Sequence, residues 1–339
     1  MLPSNVGIYE IQSEIGGNER GRVFRAVDPR TNREVAVKML RSQSLFTLTG
    51  QRKFNEQLAR LKSLTHPSLL PIIDFGEEDN RPFIVMALMA GNLTQRMESG
   101  PLPAGEVLDW SRNVAAALDF AAANGIVHHD LKPNNVLFDG NSRPYVADLG
   151  IFQVIDSLSA ANSPRVNPYY ASPEQVRRRK LTGQSQQYSL AAILFHALSG
   201  QVLFSGATDL VASFKHTSER PRDIHRLRPE MSEAFGEVLK KALAKVPQDR
   251  YPSTEAFVMD LVRAQGGALS VEDVQRAAAA SPQPARQPPP DQRPVPAPAI
   301  RREDLTPALR ARRLLALAIS LSACVCWAIG ALTQFLDSP

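Results

Sequence analysis

One stretch of sequence, IVHHDLKPNNVLF, constrains the fold of this chain more than any other feature. It runs from Ile126 to Phe138 and places a short polar loop between two apolar segments that are typical of β-strands. The loop carries Asp130, Lys132 and Asn135. Asp and Asn are common loop formers, so each residue alone is explained by turn chemistry. Together, in this order, they predict a catalytic loop.

The side chains of this loop suit phosphoryl transfer. Asp130 can accept the proton of an attacking hydroxyl group, and Lys132 can neutralise the group in transfer. Asn135 offers an amide oxygen to a hard divalent cation. Asp148, in the later segment YVADLGI, offers a carboxylate to the same cation.

Periodicity and composition indicate a globular enzyme. From about Ile8 to about Ala264, apolar residues recur with periods of two and of three to four, which predicts a mixed α+β fold. The net charge is +5, but seven arginines and four acidic residues lie from Ser281 onward, so no nucleic-acid partner is predicted. The two cysteines, Cys324 and Cys326, lie in an apolar run and predict neither disulfides nor a metal cluster.

A glycine-rich turn, IGGNERGRVF, lies between two segments with strand character. Gly16, Gly17 and Gly21 would let backbone amides approach phosphate oxygens, although an ordinary hairpin turn is the alternative. In the next strand, EVAVKML, Lys38 interrupts an apolar run, and its neighbours Val37 and Met39 should face the other side of the sheet. We therefore predict a cation beneath a turn that faces phosphate.

The C-terminal part of the chain has a different composition. Residues 281–299, SPQPARQPPPDQRPVPAPA, predict a stiff extended linker, and a ligand for a proline-recognition module is the alternative. The uncharged run from Leu314 to Leu332 predicts a transmembrane helix rather than a buried core helix. Arg310, Arg312 and Arg313 precede this run, which places the N-terminal part in the cytoplasm and a short tail outside.

Small residues in the apolar run are compatible with a homodimer formed through this segment. Ala318, Ser322, Cys326 and Gly330 form a row at i, i+4 spacing that would allow two such helices to approach closely. A second row of small residues begins at Ala316, so the pattern does not select one face.

Several motifs agree in order and spacing: IGGNERGRV, VAVK, HHDLKPNN, DLG, SPEQ and DRYPS. In this respect the sequence resembles the eukaryotic-like (Hanks-type) serine/threonine protein kinases, particularly their bacterial membrane-anchored members, from roughly Tyr9 to Leu261. The resemblance implies a bilobal α+β fold over residues 8–265, with a small β-rich N-lobe (about 8–88) and a larger helical C-lobe (about 92–265). A disordered, Pro-rich and basic linker (266–312), a transmembrane helix (313–335) and an external tail (336–339) would follow.

The resemblance also implies roles for individual residues. Those expected to contact ATP are Gly16, Gly17, Gly21, Val23, Ala36, Lys38, Met86, Leu88 and Leu137. Those expected to serve catalysis are Asp130, Lys132 and Lys38. Asn135 and Asp148 would hold Mg²⁺ or Mn²⁺, and Glu174 would pair with Arg250 to stabilise the C-lobe. Lys132 favours Ser or Thr acceptors in protein substrates.

Five positions depart from the family pattern. Gln57 stands where a Glu usually pairs with the nucleotide-binding lysine, and its amide could still hydrogen-bond Lys38 without charge assistance. Asn18 replaces a glycine of the phosphate-binding turn. His129 replaces the Arg that binds a phosphorylated activation segment; a pH-sensing role is the alternative to plain substitution. Asn167 replaces a Thr near the catalytic loop, and Gln186 replaces the Asp that braces that loop.

Three functions remain open at this point. The first is a membrane-anchored serine/threonine kinase that uses ATP and Mg²⁺ or Mn²⁺. The second is a pseudokinase that binds nucleotide or partners as a scaffold, which the five departures favour. The third is a small-molecule phosphotransferase on the same fold, against which the SPEQ segment argues. We favour the first, because the residues expected to touch substrate and metal are all present.

Overall fold

An antiparallel sheet forms the N-terminal half of the fold in our computed structural model. The structure describes residues 3–18, 21–41, 48–79, 81–151 and 167–266. The sheet has the spatial order β1-β2-β3-β4-β6-β5. Its strands are β1 (Asn5–Val6), β2 (Tyr9–Asn18), β3 (Gly21–Asp28), β4 (Arg33–Leu40), β5 (Ile72–Glu78) and β6 (Arg81–Ala87). Helix α1 (Leu48–Ser63) lies between β4 and β5 in the chain.

The side chains of β4 alternate between the two faces of this sheet. Val35 and Val37 belong to a small apolar cluster on one face, and Met39 packs against the same cluster. Ala36 and Leu40 belong to the main core on the other face. Because successive residues of a strand point to opposite faces, Lys38 lies on the side of Ala36 and Leu40. The predicted orientation of Lys38 relative to its neighbours is confirmed.

Helices dominate the second half of the fold. They are α2 (Leu93–Met97), α3 (Ala104–Ala123), α4 (Pro173–Val176), α5 (Gly183–Ser199), α6 (Asp209–Ser218), α7 (Ile224–Leu227), α8 (Glu233–Ala242) and α9 (Thr254–Ala264). Two 3₁₀ turns (Pro133–Asn135 and Pro247–Asp249) and a three-stranded sheet of β7 (Gly91–Asn92), β8 (Val136–Phe138) and β9 (Pro144–Val146) complete it. A sheet-rich half followed by a helical half confirms the predicted bilobal α+β fold.

Helix α5 is the centre of the helical half. Apart from His196, every residue from Ser185 to Leu198 is buried, so the helix is apolar or hydrogen-bonded on all sides. At its start, the Ser185 hydroxyl accepts from the Thr182 backbone amide at 3.1 Å. Gly200 ends it at φ +69°, the left-handed conformation that glycine adopts without strain. A helix so enclosed can hold neighbouring loops in fixed positions.

The predicted linker and transmembrane helix lie outside the described residues. Among the helices that the structure does describe, none has the length and the apolar character needed to cross a membrane.

Acid should destabilise this fold through His216, which is buried in α6 with its Nδ1 atom 3.1 Å from the Tyr188 hydroxyl. Burial, with help from the Lys245 cation, lowers the pKa of His216 to about 3. In the unfolded chain His216 takes up a proton near pH 6.5. The contribution of neutral, buried His216 to the free energy of unfolding is therefore complete above pH 6.5 and is lost as the pH falls toward 3. From pH 7 to pH 5 this amounts to about 2 kcal/mol.

Urea unfolding at the two pH values measures the effect. His216→Phe, which cannot titrate, should show a pH dependence smaller by that amount even if it is less stable at pH 7. An equal pH dependence in the two proteins would assign the loss to other groups.

Candidate active site

The loop between α3 and β8 holds three of the predicted site residues together. The Lys132 ammonium donates to Oδ2 of Asp130 at 2.6 Å, and the Asp130 side chain is only 6% exposed. The Asn135 amide nitrogen donates to the Asp130 carbonyl oxygen at 2.7 Å. Pro133–Asn135 form a 3₁₀ turn, which brings Asn135 back over Asp130. A carboxylate, an ammonium group and an amide are thus fixed in one buried loop.

A second pair of predicted residues meets beside this loop. The Lys38 ammonium donates to Oδ2 of Asp148, and both side chains are nearly buried. Burial by itself would raise the pKa of Asp148, but Lys38, followed by His128 and Lys132, holds that pKa below its usual range. Asp148 is therefore a carboxylate at neutral pH, and the charge of Lys132 acts on it. The two halves of the predicted site are brought together.

The backbone at Asp148 is in an unusual conformation. Its φ is +58°, in the left-handed region that non-glycine residues seldom adopt. Gly150 follows at φ +68°, and a Cβ there would lie 3.0 Å from Ile126 and 3.3 Å from the Gln57 amide nitrogen. The Asp-Leu-Gly segment thus turns sharply and presents its carboxylate to Lys38.

His128, which the sequence analysis did not single out, fixes the catalytic loop from inside. Its ring is buried, with Nε2 2.9 Å from the Ala147 carbonyl and Nδ1 accepting from the Asp130 amide at 3.2 Å. Burial lowers the pKa of His128, although the Asp130 charge opposes the shift. The neutral ring therefore donates from Nε2 and accepts at Nδ1. A histidine directly after the apolar pair Ile126–Val127 and two residues before Asp130 was the available signal.

Gln186 braces the loop from the central helix α5. Its amide oxygen accepts from the His128 backbone at 3.1 Å, and its amide nitrogen donates to the Leu118 carbonyl in α3 at 2.8 Å. The side chain is completely buried. By residue type, Gln186 was expected to be the loss of a brace. In the structure its side-chain amide supplies the acceptor and adds a donor. A neutral backbone donor needs an acceptor, not a charge.

Gln186→Leu should therefore weaken both the fold and the loop. It leaves the buried His128 amide without its acceptor, which costs about 1–3 kcal/mol for an unsatisfied group, and it removes the second donor of the Leu118 carbonyl, which keeps its partner within α3. We expect a lower free energy of unfolding in urea. Gln184→Leu, at a half-buried position on the same helix, is the control. Equal stability of Gln186→Leu and the wild type would show that the two hydrogen bonds contribute nothing net.

His129 is half-buried, and Gln175 of α4 holds its backbone by donating to the His129 carbonyl at 2.7 Å. Burial, together with the neighbouring His128, lowers the pKa of His129 to about 4. The ring is therefore neutral at physiological pH, which disfavours the pH-sensing alternative in that range. Asn167 accepts from the Tyr169 amide at 3.0 Å and thus shapes the chain that leads into α4.

The residues proposed to contact a nucleotide line the sheet and the strand β8. Gly16 and Gly17 pair with Val23 and Arg22 across β2 and β3, and Ala36 pairs with Met86 across β4 and β6. Ala36 and Met86 are buried in the core, against which Val23 and Leu88 pack. Leu137, in the middle of β8, is half-buried.

Gly21 is required by the close approach of two strands. A Cβ at this position would lie 2.4 Å from the Met39 carbonyl oxygen, a distance that no real side chain tolerates. The strands β3 and β4 can therefore approach this closely next to the glycine-rich turn only with glycine here. The side chain of Asn18 and residues 19–20 lie outside the described part of this turn.

A buried ion pair holds α4 to the last third of the chain. Arg250 Nη1 and Nη2 donate to the two carboxylate oxygens of Glu174 at 3.0 and 2.8 Å. The Arg250 side chain is fully buried and also donates to the carbonyls of Ala244 and Gln184. The pairing that the sequence suggested is thus present in the structure.

Residues 9–262 match the protein kinase domain family. The chain belongs to the protein kinase family. The match covers strands β2 to β6 of the sheet, the loop of Asp130, the Lys38–Asp148 pair and the Glu174–Arg250 pair. The family predicted from the motifs is confirmed.

Its relatives are bacterial serine/threonine kinases. The chain is 33% identical over 259 residues to the serine/threonine-protein kinase PrkC of Bacillus subtilis and 34% identical over 277 residues to PknF of Mycobacterium tuberculosis. These alignments cover 75% and 78% of this chain, but 40% and 58% of the relatives. Among solved structures, a PknI kinase domain of Mycobacterium tuberculosis is similar, with a TM-score of 0.64, 27% identity and coverage of 78% of this chain and 100% of that chain.

Proposed function

We propose that this protein is a serine/threonine protein kinase that transfers the γ-phosphoryl group of ATP to hydroxyl groups of protein substrates. The observation that carries the proposal is the buried loop in which Asp130 contacts Lys132 and is held by Asn135. The relatives, which are named as serine/threonine kinases, support the acceptor class.

The loop supplies the groups that the transfer requires. Asp130 accepts the proton of the attacking hydroxyl, while Lys132, 2.6 Å away, offsets negative charge as the phosphoryl group arrives. His128 and Gln186 hold the loop backbone, so Asp130 does not need to reorganise during the reaction. Phosphoryl transfer depends mainly on positioning and electrostatics, which these contacts provide.

The site fits ATP and a divalent cation. Asn135 donates through its nitrogen, and Asp148 binds Lys38 through Oδ2, so each retains an oxygen to which no described residue donates. Carboxylate and amide oxygens are the ligands that Mg²⁺ and Mn²⁺ accept, usually alongside substrate phosphates. The cation would neutralise charge on the phosphates. Lys38 contacts Asp148 and pairs across the sheet with Val23, two residues after Gly21 of the glycine-rich turn.

The test is an assay of γ-phosphate transfer from ATP to Ser- and Thr-containing peptides by the full chain, with Mg²⁺ or with Mn²⁺. Transfer supports the kinase. A thermal shift on adding ATP without transfer would instead support a nucleotide-binding scaffold, the alternative that Gln57 in α1 had suggested. Gln57→Glu separates the two further: a large gain in rate indicates an impaired but genuine kinase.

We further propose that the chain is anchored in a membrane by residues 313–335, with the kinase domain (residues 8–265) in the cytoplasm. The support is the uncharged run from Leu314 to Leu332 and the arginines before it. The lipid bilayer would then be a partner, and a homodimer through the small-residue row would be compatible with this anchor. Extraction of the full chain from membranes by high salt alone would contradict the anchor; a requirement for detergent supports it.

A further inference from the structure

A basic cavity lies beside α4 and is lined in part by the residues that follow this helix in the chain. Its volume is about 370 Å³. The residues that line it are Glu174, Arg177, Arg179, Lys180, Thr182, Gln184, Lys245, Val246, Pro247 and Gln248. Four of these are cations and one is a carboxylate. The proposed reaction uses none of the four cations.

The single carboxylate of this cavity is already neutralised. Both oxygens of Glu174 accept from Arg250, so Arg250 compensates the Glu174 charge, which does not offset the cations of the cavity. Among the described residues, no carboxylate lies within ion-pair distance of Arg177, Arg179 or Lys180. An excess of positive charge therefore faces the cavity, and charges of one sign held together are costly unless an anion joins them.

Two of the cations are fixed at the cavity by contacts with the protein. Arg177 donates from Nη2 to the Thr217 carbonyl at 2.9 Å, which holds its guanidinium group in place. Lys245 lies 3.3 Å from the Tyr188 hydroxyl and 4.7 Å from the centre of the Phe204 ring. Burial, Arg250 and Arg177 lower the pKa of Lys245 to about 8, despite the opposing charge of Glu219. An anion in the cavity would reverse part of this shift.

The number and kind of cations indicate the ligand. A phosphoryl group carries close to two negative charges and three acceptor oxygens, which several cations can share. Guanidinium groups present paired donors that match phosphate oxygens. A carboxylate carries one charge and two oxygens and would leave most of the excess charge uncompensated. The cavity thus fits a phosphoryl group better than a single acidic side chain.

The position of the cavity indicates where that group comes from. Gln175 of α4 holds the His129 carbonyl, next to Asp130, and Arg177 follows two residues later. A peptide with one residue at Asp130 would therefore pass close to the cavity. We propose that this cavity binds a phosphoserine or phosphothreonine residue of a protein substrate, so that the enzyme favours substrates that are already phosphorylated nearby. The assignment to a substrate rests on the proposed function.

Binding is tested on the full chain, without any requirement for catalysis. The probes are inorganic phosphate and three peptides that differ at one position, carrying serine, glutamate or phosphoserine there. Vesicles with anionic lipid are a fifth probe. We expect the phosphoserine peptide to bind roughly tenfold more tightly than the serine peptide. Arg179→Gln/Lys180→Gln, at two exposed positions, should remove this preference, and so should Arg177→Gln. Arg33→Gln, an exposed position on β4, should retain it.

Equal binding of the phosphoserine and serine peptides, or an unchanged preference in the double variant, would overturn the proposal. Equal binding of the glutamate and phosphoserine peptides would assign the cavity to carboxylates, and binding of vesicles alone would assign it to a membrane surface. Both outcomes also overturn it.

Transfer assays separate this proposal from the kinase itself. With an acceptor serine in each peptide, a nearby phosphoserine should lower KM and leave kcat unchanged, and the double variant should lose only the KM effect. Transfer without discrimination would refute the cavity site while the kinase stands. Discrimination in binding without any transfer would retain a phosphoryl-binding cavity but refute the kinase and the substrate assignment.

Discussion

Replacing Asp130 with Asn should lower kcat for phosphoryl transfer by about 10²- to 10⁴-fold, the contribution typical of a positioned general base. The amide has nearly the shape of the carboxylate but cannot accept the proton of the attacking hydroxyl. It also removes the charge that holds Lys132 at 2.6 Å. The affinity for ATP should stay within a small factor of the wild type, because Asp148 and Lys38 are unchanged. Steady-state transfer rates and thermal shifts with ATP measure the two effects separately.

Asp109→Asn is the matched control. It makes the same chemical change at an exposed position of α3, and its transfer rate should equal that of the wild type. Equal activity of Asp130→Asn and the wild type would refute the assignment of the base. A parallel loss of ATP affinity would show that Asp130 acts in binding instead.

Much of this architecture could be predicted from two local features of the sequence, the alternation of apolar residues in strands and the cluster of polar residues in one loop. In β4 the alternation of apolar residues placed Lys38 correctly, because side-chain direction in a strand depends only on position. The loop from Asp130 to Asn135 was also recognisable, since its chemistry is concentrated in a few adjacent residues. Local order of this kind can be read from a sequence without knowledge of the fold.

The contacts between distant segments could not be read in the same way. Lys38 meets Asp148, 110 residues away, and Gln186 meets the backbone of His128, 58 residues away. The residue type of Gln186 alone predicted a missing brace. Gln186 can brace the loop because its side chain faces a backbone donor, the amide of His128. That position depends on how α5 packs against the loop. The same reasoning applies to Gln175, whose contact with His129 only the fold reveals.

Removing the carboxylate of Glu174 should be the most damaging change to stability among those considered. Glu174→Met leaves the guanidinium group of Arg250 buried and without its counter-charge, which costs about 3–5 kcal/mol. The Arg250 side chain is fully buried, so water cannot replace the lost partner. Its hydrogen bonds to the carbonyls of Ala244 and Gln184 remain, but neither carbonyl carries a full charge. The free energy of unfolding in urea at pH 7 measures the loss.

The double variant Glu174→Met/Arg250→Met separates the charge from the hydrogen bonds. It removes both ions, so the penalty of an unpaired buried charge disappears. What remains is mainly the cost of the Ala244 carbonyl without its donor, about 1–3 kcal/mol, because the Gln184 carbonyl lies in the first turn of α5 and keeps its helical partner. The double variant should therefore lose less than the sum of the two single variants. Arg263→Met breaks a similar contact, the pair with Asp260 at 2.7 Å, where the two side chains are 55% and 38% exposed. We expect at most about 1 kcal/mol there, because water and salt replace the lost partner. Equal losses at the buried and the exposed pair would mean that burial does not set the contribution of the Glu174–Arg250 pair.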